Sequence, residues 1–183
     1  MKEQEVILVT EKDEPIGTME KMLVHKQGLL HRAFSVFIFD TKGRMLVQQR
    51  SAEKYHGALL WSNTCCSHPF SGEDTEEAAR RRLQEEMGFT TSLQKVFEFK
   101  YKADVENELI EHEYDHVFAG EYEGAINFNA HEVADYNYLS LSELKSAVEE
   151  NPDRFTTWFR LAFPRIEKWW QQQYEIEDKV KNE

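Results

Sequence analysis

The most hydrophobic stretch of the chain, Ala33-Phe34-Ser35-Val36-Phe37-Ile38-Phe39, is apolar on both faces that a strand presents. It is followed by Asp40-Thr41-Lys42-Gly43 and a second run, Met45 to Gln49. The pair predicts a hairpin whose first strand lies in the middle of a covered sheet. Before it, Glu5 to Val9 alternates weakly, Glu14 to Thr18 reads as a turn into a short strand, and Glu20 to His25 as a short helix. Ala79, Leu83 and Met87 recur every fourth residue, with Asp74 placed to cap, Glu77 three positions later and Gly88 as a stop, so a helix is predicted from Glu73 to Met87. Lys95 to Lys102 and Tyr114 to Tyr122 read as strands around an acidic loop, Asp104 to Glu108. Asn151-Pro152 opens a further helix bearing Phe155, Trp158, Phe159 and Ala162. Pro164 is expected to start a last one with Ile166, Trp169, Trp170 and Tyr174 on its apolar face, leaving residues 175–183 as a fraying charged tail. Strands, an acidic helix, more strands and C-terminal helices predict an α/β or α+β fold: a mixed β-sheet covered by helices on both faces.

Length and composition narrow the function classes. A chain of 183 residues without repeats, low-complexity tracts or a Gly/Ser linker is read as a single domain, 1–183. No apolar run approaches the roughly 18 to 20 residues that span a bilayer. The charged start Met1-Lys2-Glu3-Gln4-Glu5 lacks the features of a secretory signal, which places the expected location in the cytoplasm, away from membranes. With 22 basic against 34 acidic residues the net charge is −12, which argues against a nucleic-acid partner. The two cysteines, Cys65 and Cys66, are adjacent and are read as free thiols. The expected assembly is a monomer or weak homodimer.

Three groups of residues carry candidate chemistry. On a strand, Glu111 and Glu113 point to one side and His112 to the other. Standing alone they would read as a solvated acidic edge. Combined with His25, His31 and His68 they offer three imidazoles and two carboxylates, suited to an octahedral manganese, magnesium or zinc ion. On the acidic helix, Glu85 and Glu86 lie at the end where the dipole disfavours carboxylates, which makes Glu86 a candidate magnesium ligand against the alternative of an ordinary charged face. Cys66 lies in the turn Asn63-Thr64-Cys65-Cys66-Ser67-His68-Pro69; free cysteines are usually buried and inert, but a thiol is suited to moving a proton on carbon.

In order, Thr18 to Lys21, His25, His31, Arg50, Trp61 to Pro69, Arg81, Glu86-Met87-Gly88, Tyr101, Glu111-His112-Glu113 and Trp158 resemble type I isopentenyl-diphosphate delta-isomerase, over about residues 4 to 165. That family has the Nudix fold. The segment Ser67 to Phe89 looks like a degraded Nudix box, G-x5-E-x7-R-E-U-x-E-E-x-G-U with U aliphatic, in which Ser67 replaces the first glycine and Arg82 a glutamate. The loss of that carboxylate counts against hydrolysis.

The resemblance implies a divalent ion on His25, His31, His68, Glu111 and Glu113, and a Mg2+ carried by the substrate diphosphate and met by Glu86. It also implies diphosphate binding by Lys21, Arg50, Lys54 and Arg81. Two proton carriers would work from opposite sides, Cys66 on one and Glu113 with Tyr101 on the other, while Trp158 stabilises a carbocation-like intermediate. Cys65 is expected to be structural. The alternatives are a Nudix hydrolase of nucleoside diphosphate compounds and a non-catalytic diphosphate-binding module.

Overall fold

The computed structural model describes the backbone of residues 4–181 and the side chains of residues 4–173. Strands β1 (Glu5–Val9) and β2 (Pro15–Glu20) pair antiparallel and lead into a short helix, α1 (Lys21–Gln27). The central strand β3 (His31–Phe39) and β4 (Met45–Arg50) form the expected hairpin, paired only at Ile38/Leu46 and Phe39/Met45 before they part. Into the gap come β5 (Trp61–Ser62), which pairs with β4, and β6 (Cys65–Ser67), which pairs with β3. The paired-cysteine turn is therefore a strand, with Cys66 opposite Ser35.

Helix α2 (Thr75–Met87) is built as its sequence dictates: the Asp74 carboxylate accepts from the backbone N–H groups of Glu76 and Glu77, and Gly88 ends it at φ 77°. Strands β7 (Gln94–Val105) and β8 (Leu109–Glu121) are one long hairpin that turns at Glu106 to Glu108, with Asp104 and Val105 of the expected loop inside β7, and β8 lies parallel to β3. Strand β9 (Val133–Leu139) pairs with β4, and α3 (Leu141–Glu150) follows with a Ser140/Glu143 capping box. Neither was legible: β9 alternates weakly, and the capping signal precedes only two apolar turns.

The C-terminal expectation is corrected. Pro152–Arg154 is a single 3-10 turn, and α4 runs unbroken from Thr157 to Lys181 with Pro164 inside it. A proline there removes one helical hydrogen bond. Phe159, Ala162, Phe163, Ile166 and Trp170, all buried against the sheet, hold the helix through that position. Tyr174 and the expected tail have side chains outside the described residues.

The nine strands of the described residues form one mixed sheet. Phe37 and Phe39 of β3 face α3 and α4, while Phe34, Val36 and Ile38 face α2. A strand apolar on both faces is thus sandwiched between two helical layers, as its composition requires. No helix among the described residues is long and apolar enough to cross a membrane.

Candidate active site

The α4 side of the sheet carries a cluster of imidazoles and carboxylates where β3, β6, β7 and β8 lie side by side. His31 opens β3 and is level with Glu113 on β8, while Tyr101 on β7 is directly opposite Glu113. His25 comes from α1, and His68 follows β6. Ligand atoms of His25, His31, His68 and Glu113 all lie within 4.8 Å of one another.

Hydrogen bonds fix the rings. Nδ1–H of His25 donates to the carbonyl of Lys21 at 2.7 Å, and Nδ1–H of His31 to that of Leu29 at 2.9 Å. Each therefore turns a bare Nε2 inward. His31 Nε2 is 3.2 Å from His68 Nε2, and His68 Nε2 is 3.0 Å from Glu113 Oε1. His25 Nε2 is buried with no hydrogen-bond partner. A buried lone pair without a donor costs about 1–3 kcal/mol, and a cation would satisfy it. The donor set therefore fits a divalent ion.

Electrostatics keep these groups in ligand form. Burial pushes His25 down to about 4, with His31 adding to the effect, and burial takes His68 to about 3; both rings are neutral at pH 7. Burial alone would raise Glu113, but the imidazoles of His31 and His68 beside it carry it well below the usual carboxylate range. The Tyr101 hydroxyl donates to Glu113 Oε2 at 2.7 Å and Glu111 Oε2 at 3.0 Å. Burial and the two carboxylates push that phenol far up, so it stays protonated.

Beside the cluster is a cavity of about 310 Å³ whose walls include Lys21, Arg50, Lys54, Cys66, Glu113 and Trp158. Strand alternation splits the thiols: Cys65 is wholly buried on the α2 side, while Cys66 is half-buried and faces the cavity. Burial pushes the Cys66 thiol up to about 12, opposed by Arg50, whose Nη1 is 4.0 Å from Sγ. Cys66 thus rests as a thiol, not poised between thiol and thiolate as an unperturbed value near 8.5 implies. The Trp158 indole N–H donates to Asn63 Oδ1 at 3.1 Å, and the Arg50 guanidinium lies 5.1 Å from the Trp158 ring. Asn63 in turn donates to the carbonyls of Val36 and Cys65, tying the indole to the cysteine strand.

One expectation for the cationic wall is corrected. Arg81 is turned away from the cavity; its Nε and Nη2 donate to the Glu73 carboxylate at 2.7 and 2.8 Å, and its guanidinium stacks 4.1 Å from the Phe70 ring. Arg82, about 100° further round the helix, lines the cavity. It donates to Glu86 Oε1 at 2.6 Å, to Glu85 at 2.6 Å and to Glu132 at 3.2 Å. Glu86 also accepts from Gln48 Nε2 at 3.0 Å, and Lys54 pairs with Glu132. Lys21, with its ammonium 4.8 Å from the Tyr55 ring, is lowered by burial, then by Lys54, to about 8.

A Nudix-domain family model matches residues 29–159. Isopentenyl-diphosphate Delta-isomerase 2 of Photorhabdus laumondii is 48% identical over 169 residues, which cover 90% of this chain and 96% of that protein. The isopentenyl-diphosphate Delta-isomerase of Pectobacterium atrosepticum is 48% identical over 167 residues, covering 91% of this chain and 93% of its own. This chain belongs to the type I isopentenyl-diphosphate delta-isomerases. Solved structures add the fold alone. A Deinococcus radiodurans protein superposes with a TM-score of 0.67 at 19% identity, covering 80% of this chain and 90% of its own, and a MutT protein of Methanosarcina mazei with 0.63 at 18%, covering 76% and 94%.

Within the isomerase family frame, sequence reasoning missed two groups at the site. Arg82 stands four residues before Glu86, a helical spacing that puts the two on one face, and this signal was available. His56 comes from an irregular loop with no periodicity to mark it, and its Nε2 lies 3.0 Å from Glu111 Oε1.

Proposed function

We propose that this enzyme converts isopentenyl diphosphate to dimethylallyl diphosphate for isoprenoid biosynthesis in the cytoplasm, with Cys66 and the Glu113/Tyr101 pair as its proton carriers. The observation that carries the assignment is that Cys66, Glu113 and Trp158 line one cavity, with Tyr101 hydrogen-bonded to Glu113.

Moving the double bond inward requires one proton to be added to the terminal carbon and another to be taken from the carbon two bonds away. In the free site the sulfur holds a proton and the Glu113 carboxylate does not. The pair therefore begins with one proton to give and one place to receive, which is the stoichiometry of the reaction. Tyr101, protonated and bonded to both carboxylates, holds Glu113 in place. The cationic intermediate meets the Trp158 indole, a contact worth about 0.5–2 kcal/mol when water is excluded. The 5.1 Å approach of Arg50 already puts a cation within reach of that ring. The buried walls keep out water that would trap the intermediate as an alcohol.

His25, His31, His68, Glu111 and Glu113 are assigned to a divalent ion, Mn2+, Mg2+ or Zn2+. When bound, such an ion would neutralise the paired carboxylates and fix Glu113. Lys21, Arg50, Lys54 and Arg82 are assigned to the diphosphate, which explains how a protein of charge −12 takes an anionic substrate. Glu86, held by Arg82 and Gln48 in the free protein, is the carboxylate assigned to the Mg2+ that the diphosphate carries.

The test is incubation with isopentenyl diphosphate in deuterated water. Deuterium entering substrate and product without phosphate release is expected. Phosphate release would make the protein a hydrolase, and binding without exchange would make it a non-catalytic module.

A further inference from the structure

His56 lies outside the metal-ligand set assigned above, yet the fold fixes it firmly beside that set. The Arg50 guanidinium donates to the carbonyls of His56 at 2.9 Å and Gly57 at 3.1 Å. From the tip of the β7–β8 hairpin, Glu106 accepts from the Gly57 N–H at 3.0 Å, and Asn107 donates to the Tyr55 carbonyl at 2.7 Å. The backbone of three consecutive residues is thus pinned from two sides, and the His56 ring is left only 5% exposed.

The two carboxylates of β8 are held alike. Each gives Oε2 to the Tyr101 hydroxyl and turns Oε1 to an imidazole Nε2 at 3.0 Å, His68 for Glu113 and His56 for Glu111. His56 stands to Glu111 as His68 stands to Glu113. Ligand atoms of His25, His56 and Glu111 lie within 4.8 Å of one another, as do those of His25, His31, His68 and Glu113. His25 belongs to both groups but has one nitrogen to offer, because Nδ1 is committed to the Lys21 carbonyl. One nitrogen serves one ion, so the two groups cannot both be filled as separate centres.

The geometry points to His56 as a fourth imidazole of this metal centre, giving the ligand set His25, His31, His56, His68, Glu111 and Glu113. The inference rests on the reading that the cluster holds a divalent ion. Four nitrogen donors select a transition ion such as Mn2+ or Zn2+ over Mg2+, which prefers oxygen ligands and retains its waters. A shell closed by six protein groups keeps the ion for fixing the carboxylates.

The test strips the full-length protein with a chelator and reloads it with Mn2+ alone. Bound imidazoles are then counted by pulsed electron paramagnetic resonance, and affinity is measured by titration. One ion per chain and four imidazoles are expected in the wild type, falling to three in His56→Ala with an affinity loss above the roughly 10–100-fold typical of groups that only orient a ligand. Three imidazoles in the wild type, or equal Mn2+ affinity in His56→Ala, overturns the inference. Metal-free His56→Ala is expected to unfold cooperatively above the titration temperature, which separates loss of a ligand from loss of the fold. His56→Gln keeps an N–H to face Glu111; wild-type affinity in that variant would reduce His56 to a hydrogen-bond partner and overturn the claim. An enzyme that exchanges deuterium but shows three imidazoles sinks only this inference, whereas four imidazoles without exchange supports it and sinks only the isomerase reading.

Discussion

Two regions of the molecule gather carboxylates at spacings suited to a divalent ion, and their surroundings are opposite. Along α2 and the turn before it, Glu73 is clasped by Arg81, while Glu85 and Glu86 are met by Arg82. In the cluster on β3, β6 and β8, His31 turns a bare Nε2 toward His68 and Glu113, and His25 Nε2 has no donor or acceptor at all. The first region has its charge already balanced by protein cations; the second lacks a cation. A carboxylate cluster is recognised as a metal site by what remains unsatisfied around it, more than by the number of its acids. Arg82, standing where the Nudix box has a glutamate, puts a positive charge at that edge of the cavity in place of a possible metal ligand.

The comparison breaks most visibly at Arg82. Arg82→Ala is expected to raise KM for isopentenyl diphosphate by about 10–100-fold, the equivalent of one charge-assisted hydrogen bond of about 1.5–3 kcal/mol, with a smaller change in kcat. Steady-state kinetics check it, and an unchanged KM would remove Arg82 from the diphosphate site.

A second test uses acid. His25 and His68 have folded values depressed to about 4 and 3 from the ordinary 6.5. Their contribution to the stability of the metal-free protein is therefore complete above about pH 6.5 and is lost as pH falls, because the unfolded chain takes up protons that the folded chain refuses. The expected slope approaches about 1.4 kcal/mol per pH unit for each histidine as pH falls from about 6 to 5.5, above the range where the unfolded chain's glutamates begin to take up protons. Urea unfolding at stepped pH in chelator measures it. A profile unchanged in His68→Gln over that window would contradict the burial argument.

The smallest effect is expected at the neighbouring arginine. Arg81→Ala gives up a half-exposed pair with Glu73, so about 0.2–1 kcal/mol of stability is lost and KM stays within about threefold.

Local rules made much of this legible. The Asp74 cap, the apolar stripe and Gly88 define α2 without tertiary information. The run Ala33–Phe39 announces a covered central strand, and alternation on β6 sends Cys65 inward and Cys66 to the cavity. What stayed hidden depends on long-range partners. His56 reaches the site only because Arg50 and the distant β7–β8 tip hold its loop. Pro164 looks like a helix start in sequence and becomes helix interior because the sheet packs against the residues on both sides of it. The choice between Arg81 and Arg82 turns on one residue of helical phase, which the spacing to Glu86 resolves.

The central claim is that the Cys66 sulfur and the Glu113 carboxylate each move one proton across a shared cavity. Its most direct measurement is deuterium incorporation from deuterated water, followed by NMR, in wild type and in Cys66→Ala shown to be folded and to retain its metal ion. The account predicts label in the wild type and exchange at least about 100-fold slower in the variant. Incorporation at the wild-type rate in Cys66→Ala would contradict it.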